Sequence, residues 1–349
     1  MSNTLYLKYR PQSLGEIVGQ EELVKVLQNG AKTGNIVHAY LFSGGRGTGK
    51  TTTARAFAKE LNIHKDDILE LDAASNNGVE EIGEIIRGVY TLPYFSKYKM
   101  YILDEVHMLS KAAGNALLKT LEEPPAHCIF VLCTTDPEKM LETILSRCTK
   151  FNLKSPNQNI LAKFLEGVIE KENVKIAKDA INLIALSGDG SYRDALSNLQ
   201  KVLSFDVKDA DNYSEIFVAK ILGLPQVSAI FEYLKSLDGI ISGEEGVKVL
   251  KKLEEQSIDT VLFAKEVTYF ARLVLLARHK LIDVEEMKKE YGEHILEFVK
   301  SIIENKALET NKEYKSKLNS AMLAKILEAE ITSKNSSLPL LSYELLLLN

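Results

Sequence analysis

The first 155 residues alternate between two hydrophobic rhythms. Apolar runs of strand length occur at "IVHAYLFS" (36–43), "ILELDAA" (68–74), "KMYILDE" (99–105), "CIFVLCTT" (128–135) and "KFNL" (150–153). Between them the spacing is helical: Ala54, Phe57, Ala58 and Leu61 fall at i, i+3, i+4 and i+7, one face of a helix. In "SKAAGNALLKTLEEPP", Ser110 is the expected N-cap and Pro124–Pro125 the stop. This alternation predicts a mostly parallel α/β sheet with ligands at the strand carboxyl ends. Beyond it, "NILAKFLEGVIEKENV" and "KDAINLIALS" are amphipathic, and "GDGS" opens a further helix that Ser191 could cap. From about residue 210 the pattern is helical to the end. Phe263, Val267, Phe270, Val274 and Ala277 form a seam that fits an internal core and a subunit interface equally well. The polar, acidic "FDVKDADNYSE" (205–215) reads as a boundary, and "LPLLSYELLLLN" as a last helix docked on the rest. Three regions are therefore expected: 1–155, 156–207 and 208–349.

With 349 residues, 45% apolar and 26% charged, the chain has the makeup of a folded protein of two or three domains. Its amino terminus lacks the apolar run of a signal peptide, and no stretch approaches the roughly 20 apolar residues of a membrane span. A cytoplasmic protein without membrane contact is expected. The net charge of −5 excludes a globally basic nucleic-acid binder but leaves room for a local basic surface. Cys128, Cys133 and Cys148 form neither a C-x-x-C pair nor a zinc spacing. Cys128 and Cys133 read as small buried residues of a strand.

Two motifs add chemistry. Gly44 to Thr51 match G-x-x-x-x-G-K-[ST] between a strand and a helix, the context of a phosphate-binding loop. There Gly44, Gly45, Gly47, Thr48 and Gly49 let backbone N–H groups curl around phosphates, with Thr52 following in the helix. Lys50 should reach the β- and γ-phosphates of ATP, and the Thr51 hydroxyl should ligate Mg2+. The run at 99–105 ends in two carboxylates. Asp104 fits the metal side, and Glu105 fits a group that polarises the attacking water. Thr134 and Thr135 end another strand, where a hydroxyl could read the γ-phosphate or merely suit the strand.

In order, "KYRPQSLGEIVGQEEL", "LFSGGRGTGKTTTARAFAKEL", "LELDAASNNGVEEI", "YILDEVHMLSKAAGNALLKTLEEPP", "CTTDPEKMLETILSRCTKF" and "GDGSYRDALSNLQ" resemble the AAA+ family. More narrowly, they resemble its bacterial clamp-loader motors, the gamma/tau subunits of DNA polymerase III. The match covers roughly residues 5–205 and is weaker beyond. The resemblance implies a P-loop AAA+ domain, a small helical lid and an all-α C-terminal collar domain. It implies a Mg2+-dependent ATPase that helps load a sliding clamp onto primed DNA. The partners implied are delta and delta-prime subunits, further copies of itself, the clamp, and primer–template DNA. Tyr9, Arg10, Pro11 and Val18, with Gly19, resemble the segment around the adenine. Thr135 resembles the sensor-1 residue, with Thr134 as the alternative register. Arg193 resembles the sensor-2 arginine. Arg147, in "SRC", resembles the arginine finger, which serves a neighbouring subunit's site, so a lone monomer should hydrolyse ATP poorly. For DNA, Asn76, in a helix start expected near Ser75, and Lys111 are candidates; either could equally be an ordinary cap or a solvated lysine.

One departure stands out. Gamma/tau subunits usually carry a four-cysteine zinc module between the P-loop helix and the next strand. This chain has only "NIHKDDI" there, so no zinc is expected. The short interval also brings it closer to the small subunits of replication factor C, the alternative within the class. A helicase loader, a branch-migration helicase and a nucleotide-gated scaffold are the remaining alternatives. The chain's end at residue 349 is read as the length of a gamma-type motor.

Overall fold

The computed structural model describes residues 4–205, 213–256, 258–283, 293–303 and 316–348. The chain divides into two compact units, Met1–Val174 with Ile184–Ser204, and Lys175–Leu183 with Phe205–Asn349.

The first unit is built on five strands: β1 (Ala39–Ser43), β2 (Ile68–Asp72), β3 (Lys99–Asp104), β4 (Cys128–Thr134) and β5 (Thr149–Asn152). All pair in parallel, in the order β2-β3-β4-β1-β5. Each strand lies on one of the expected apolar runs, with shifted ends. β2 stops at Asp72 rather than Ala74 because the Asp72 carboxylate turns the chain: Ala74 N–H donates to its Oδ1 at 2.9 Å.

The helices through residue 205 are α1 (Leu5–Lys8), α2 (Glu21–Thr33), α3 (Lys50–Glu60), α4 (Val79–Val89), α5 (Lys111–Glu122), α6 (Glu142–Leu145), α7 (Gln158–Lys171), α8 (Lys178–Ser187) and α9 (Tyr192–Leu203). On one face of the sheet, α2 and α3 supply Leu27, Ala54 and Phe57 to a core with Phe42, Ile102 and Val131. On the other, α4 and α5 supply Ile82, Val89 and Leu117 against Leu41, Leu103 and Phe130. Every residue of β4 is buried, as its unbroken apolar run requires of a strand covered on both faces.

Two caps follow the expectation: Ser110 Oγ accepts from Ala113 N–H at 3.2 Å at the start of α5, and Ser191 Oγ from Asp194 N–H at 3.1 Å at α9. The start of α4 does not. It begins at Val79 behind Gly78, not at Ser75. Ser75 and Asn76 belong to the turn that Asp72 organises, with Asn76 N–H and Nδ2–H both donating to the Asp72 carbonyl at 3.0 Å. An Asx-type turn outcompetes helix initiation there.

The second unit is helical where described: α10 (Glu215–Leu222), α11 (Val227–Asp238), α12 (Gly243–Glu255), α13 (Thr260–Arg278), then helices at Glu293–Ile303, Ser320–Asn335 and Leu341–Leu347. Phe263, Val267, Phe270 and Val274 of α13 are buried in its core beside Tyr233, Ile326 and Tyr343, with Ala277 packed against them. The seam is thus internal to this unit. The carboxylate of Asp238 is buried, accepts from Leu318 N–H at 2.8 Å, and meets Arg278 at 3.4 Å. The last helix docks through Tyr343 and Leu346, and Tyr233 Oη donates to the Tyr343 carbonyl at 2.8 Å. The boundary expected at 205–215 falls mostly on residues 206–212, outside the described residues. Among the described residues no single helix is long and apolar enough to cross a membrane; α10 and α11, apolar enough together, are bent by 85°.

Candidate nucleotide site

The loop after β1, the carboxyl end of β3, the start of α3, the amino-terminal segment and α9 enclose a cleft of about 410 Å3. The turn from β1 into α3 has the backbone that only glycine adopts readily: φ is +149° at Gly44, +71° at Gly47 and +99° at Gly49. Gly47 is constrained twice, because a Cβ there would lie 1.9 Å from Ser191 Oγ. The adjoining Tyr192 N–H donates to the Gly47 carbonyl at 3.1 Å, tying α9 to the loop. Gly47→Ala is therefore expected to destabilise the fold by about 1–3 kcal/mol and to weaken nucleotide binding. Thermal unfolding and ATP titration check this; unchanged values in both would contradict it.

Lys50 Nζ donates to the carbonyls of Gly44 and Gly45 at 2.9 and 2.8 Å. Burial depresses its ammonium's pKa, opposed by the carboxylates of Glu105 and Asp104. Thr48 Oγ1 donates to Gly45 O at 2.9 Å and braces the loop. Thr51 Oγ1 donates to Asp104 Oδ2 at 2.5 Å, and Asp104 Oδ1 accepts from Glu105 N–H at 3.0 Å. A hydroxyl beside a carboxylate at the cleft floor is an oxygen donor pair that suits Mg2+, a hard cation completing its shell with phosphate and water.

Glu105 sits in the left-handed region, φ +47° and ψ +43°, unusual for a residue with a side chain and typical of functional sites. Its Oε2 accepts from Thr135 Oγ1–H at 3.1 Å and Thr135 N–H at 3.3 Å. Thr134 is buried and takes another path, with Oγ1 3.0 Å from His107 Nδ1. Of the adjacent threonines, Thr135 is the one that meets Glu105.

Tyr9, Arg10, Pro11 and Val18 all line the cleft. Tyr9 Oη donates to Glu172 Oε1 of the segment after α7 at 2.5 Å, and Arg10 Nε donates to Thr52 Oγ1 at 3.1 Å. Burial, then repulsion from Arg55, holds the Arg10 guanidinium's pKa below its ordinary value. Gly19, at φ +74°, is approached by Tyr192, whose hydroxyl donates to Val18 O at 3.0 Å. Arg193 enters from α9, its guanidinium 5.1 Å from the Tyr6 ring centroid.

Three expected residues lie elsewhere. Arg147 does not line this cleft. Its NH1 donates to Thr143 O at 2.6 Å and its NH2 pairs with Glu122 at the end of α5. Lys111 is exposed at the first turn of α5, and Asn76 is spent on the Asp72 turn. Burial pushes the thiols of Cys128 and Cys148 up to about 11 and raises that of Cys133.

Sequence reasoning missed Arg55 and Glu70, which face each other across the cleft wall in a bidentate pair with both bonds at 2.6 Å. That hydrogen-bonded carboxylate raises the Arg55 pKa. A charged residue one turn beyond Thr51 was the available signal. Its partner on β2 is set only by packing. His107 was missed as well: it follows the Asp-Glu pair closely, but only the fold turns its ring back toward Glu105.

The family model described as "DNA polymerase III, delta subunit" matches residues 19–78 and 63–157. The one described as "DNA polymerase III clamp loader subunit, ATPase lid domain" matches residues 161–204. The gamma subunit of DNA polymerase III from Buchnera aphidicola subsp. Schizaphis graminum is 41% identical over 251 residues, covering 66% of this chain and 68% of that protein. The tau subunit from Bacillus subtilis strain 168 is 38% identical over 290 residues, 74% of this chain and 52% of that one. The gamma/tau subunit of Mycoplasma genitalium is 34% identical over 324 residues, 86% of this chain and 53% of that one. The chain thus spans about half the length of the last two relatives. Among solved structures, the Thermotoga maritima RuvB Holliday junction branch migration motor shares the fold, with a TM-score of 0.52 at 22% identity, over 70% of this chain and 85% of that one. Sheet order, phosphate loop and helical lid define a P-loop nucleotide-binding protein of the AAA+ class. Within that class, the chain belongs to the DNA polymerase III gamma/tau family.

Proposed function

We propose that this chain is an ATP-hydrolysing motor subunit of a clamp loader, acting with delta- and delta-prime-type subunits and further copies of itself to place a sliding clamp on primed DNA. One observation carries the reading: Lys50, Thr51, Asp104, Glu105 and Arg193 converge on one cleft, while Arg147 stands outside it on the same unit. A site with every local part but its finger is what a motor shared between neighbouring subunits requires. Residues 1–155 would act as the ATPase, 156–207 as the lid that closes through Arg193, and 208–349 as the collar. Thr51 and Asp104 would hold Mg2+, which when bound offsets charge on the phosphates. Lys50 would hold the β- and γ-phosphates. Glu105 would take the proton of the attacking water as the bond from the γ-phosphorus to its bridging oxygen breaks, giving ADP and phosphate. For DNA, Lys111 at the exposed amino end of α5 is the candidate contact.

The test is steady-state ATP turnover by the protein assembled with loader partners: alone, with the sliding clamp, with primed DNA, and with both. Synergy between clamp and DNA is expected. A flat rate in all four conditions would remove the clamp-loader reading and leave a nucleotide-binding AAA+ protein of another role.

A further inference from the structure

The imidazole of His107 has no part in the chemistry above, yet it joins Glu105 to the end of β4. Only 8% of its side chain is exposed. Nδ1 lies 3.0 Å from Thr134 Oγ1 and 3.4 Å from Glu105 Oε2, and Nε2 lies 3.7 Å from Asp136 Oδ2. Thr134 Oγ1 accepts from Asp136 N–H at 3.0 Å, which fixes the turn after β4. The same turn begins with Thr135, whose N–H and hydroxyl hold Glu105 Oε2 at 3.3 and 3.1 Å. One carboxylate oxygen is therefore hydrogen-bonded by Thr135 and has His107 Nδ1 3.4 Å away on its other side. The backbone of Glu105 is left-handed between a strand and a short 3-10 turn.

We propose that His107 is a positioning residue for Glu105. Its Nδ1–H is shared between Thr134 and Glu105 and holds the carboxylate against Thr135, leaving Oε1 to receive the water proton. A rigid ring suits the task because its two nitrogens point to opposite edges. One buried side chain thereby spans Glu105 and Thr134 on one side and Asp136 on the other. Misplacing a reacting group by a fraction of an ångström to an ångström is costly, so loss of this grip slows turnover without loosening nucleotide. The inference rests on Glu105 being the group that takes the water proton.

The experiment uses the full chain in the assembled loader, with kcat, ATP affinity and thermal midpoint measured for each variant. His107→Leu keeps the bulk and removes the hydrogen bonds; His107→Asn puts an amide N–H near the place of Nδ1. His107→Leu is expected to lower kcat by about tenfold with ATP affinity within about twofold of wild type. His107→Asn should restore most of the rate. In a Glu105→Gln background, His107→Leu should cost nothing further. A His107→Leu rate within twofold of wild type, an Asn variant as slow as Leu, or the same loss in both backgrounds would overturn the proposal. If His107→Leu fails to fold, His107→Asn must still outpace His107→Gln, whose amide reaches only the Nε2 side; equal rates for those two would overturn it as well. A Glu105→Gln rate within tenfold of wild type removes the Glu105 reading itself, so the two failures are distinguishable.

Discussion

Arg147→Ala is expected to lower stimulated ATP turnover of the assembled loader by about 10³- to 10⁵-fold, while the mutant chain binds ATP as wild type does. The geometry behind this is the separation of Arg147 from its own cleft. Its guanidinium is anchored on Thr143 O and Glu122, beyond the short helix α6. Its side chain is 31% exposed, so it is presented at the surface rather than buried as a structural cation. Removing an exposed ion pair of this kind costs stability only about 0–1 kcal/mol, so a large loss of rate could not be put down to misfolding. The decisive measurement mixes chains. Arg147→Ala combined with Lys50→Ala in one subunit type should silence two different sites, its own and its neighbour's, when sites are counted by single-turnover hydrolysis. Loss confined to the mutant's own site would refute action across a subunit boundary.

Glu105→Gln should reduce turnover by about 10²- to 10⁴-fold and leave ATP affinity nearly unchanged. The amide keeps the side chain's length and its left-handed backbone, and its carbonyl oxygen can still accept from Thr135. What it lacks is a site that takes a proton. Lys50, Thr51 and Asp104, which would hold the phosphates and Mg2+, are untouched. Single-turnover hydrolysis beside nucleotide binding separates the two effects. A rate within tenfold of wild type would mean that Glu105 is not the base, and would favour a chain that uses ATP as a gate for assembly.

Much of this site is legible along the chain because its parts are local. The phosphate loop, the Asp104–Glu105 pair and the cap of α9 by Ser191 each span a few consecutive residues, and backbone geometry follows from residue type at that range. The same holds for the central strands β3 and β4, whose apolar runs leave them no place but a doubly covered interior. Local competition is harder to see. The helix expected at Ser75 loses to a turn because one residue, Asp72, satisfies the nearby N–H groups that a helix start would leave open, that of Ala74 through its carboxylate and those of Ser75 and Asn76 through its carbonyl.

What sequence alone determined was the class of fold, the phosphate loop, the Asp104–Glu105 pair at a strand end and the existence of a helical second half. Tertiary structure alone decided which of two adjacent threonines meets Glu105, since neighbouring strand residues point to opposite faces and the turn after β4 redirects both. It alone paired Arg55 with Glu70 and folded His107 under Glu105, contacts between segments that share no spacing rule. It also resolved the apolar seam on α13 as interior, because a periodic pattern records that a face is covered and never by what.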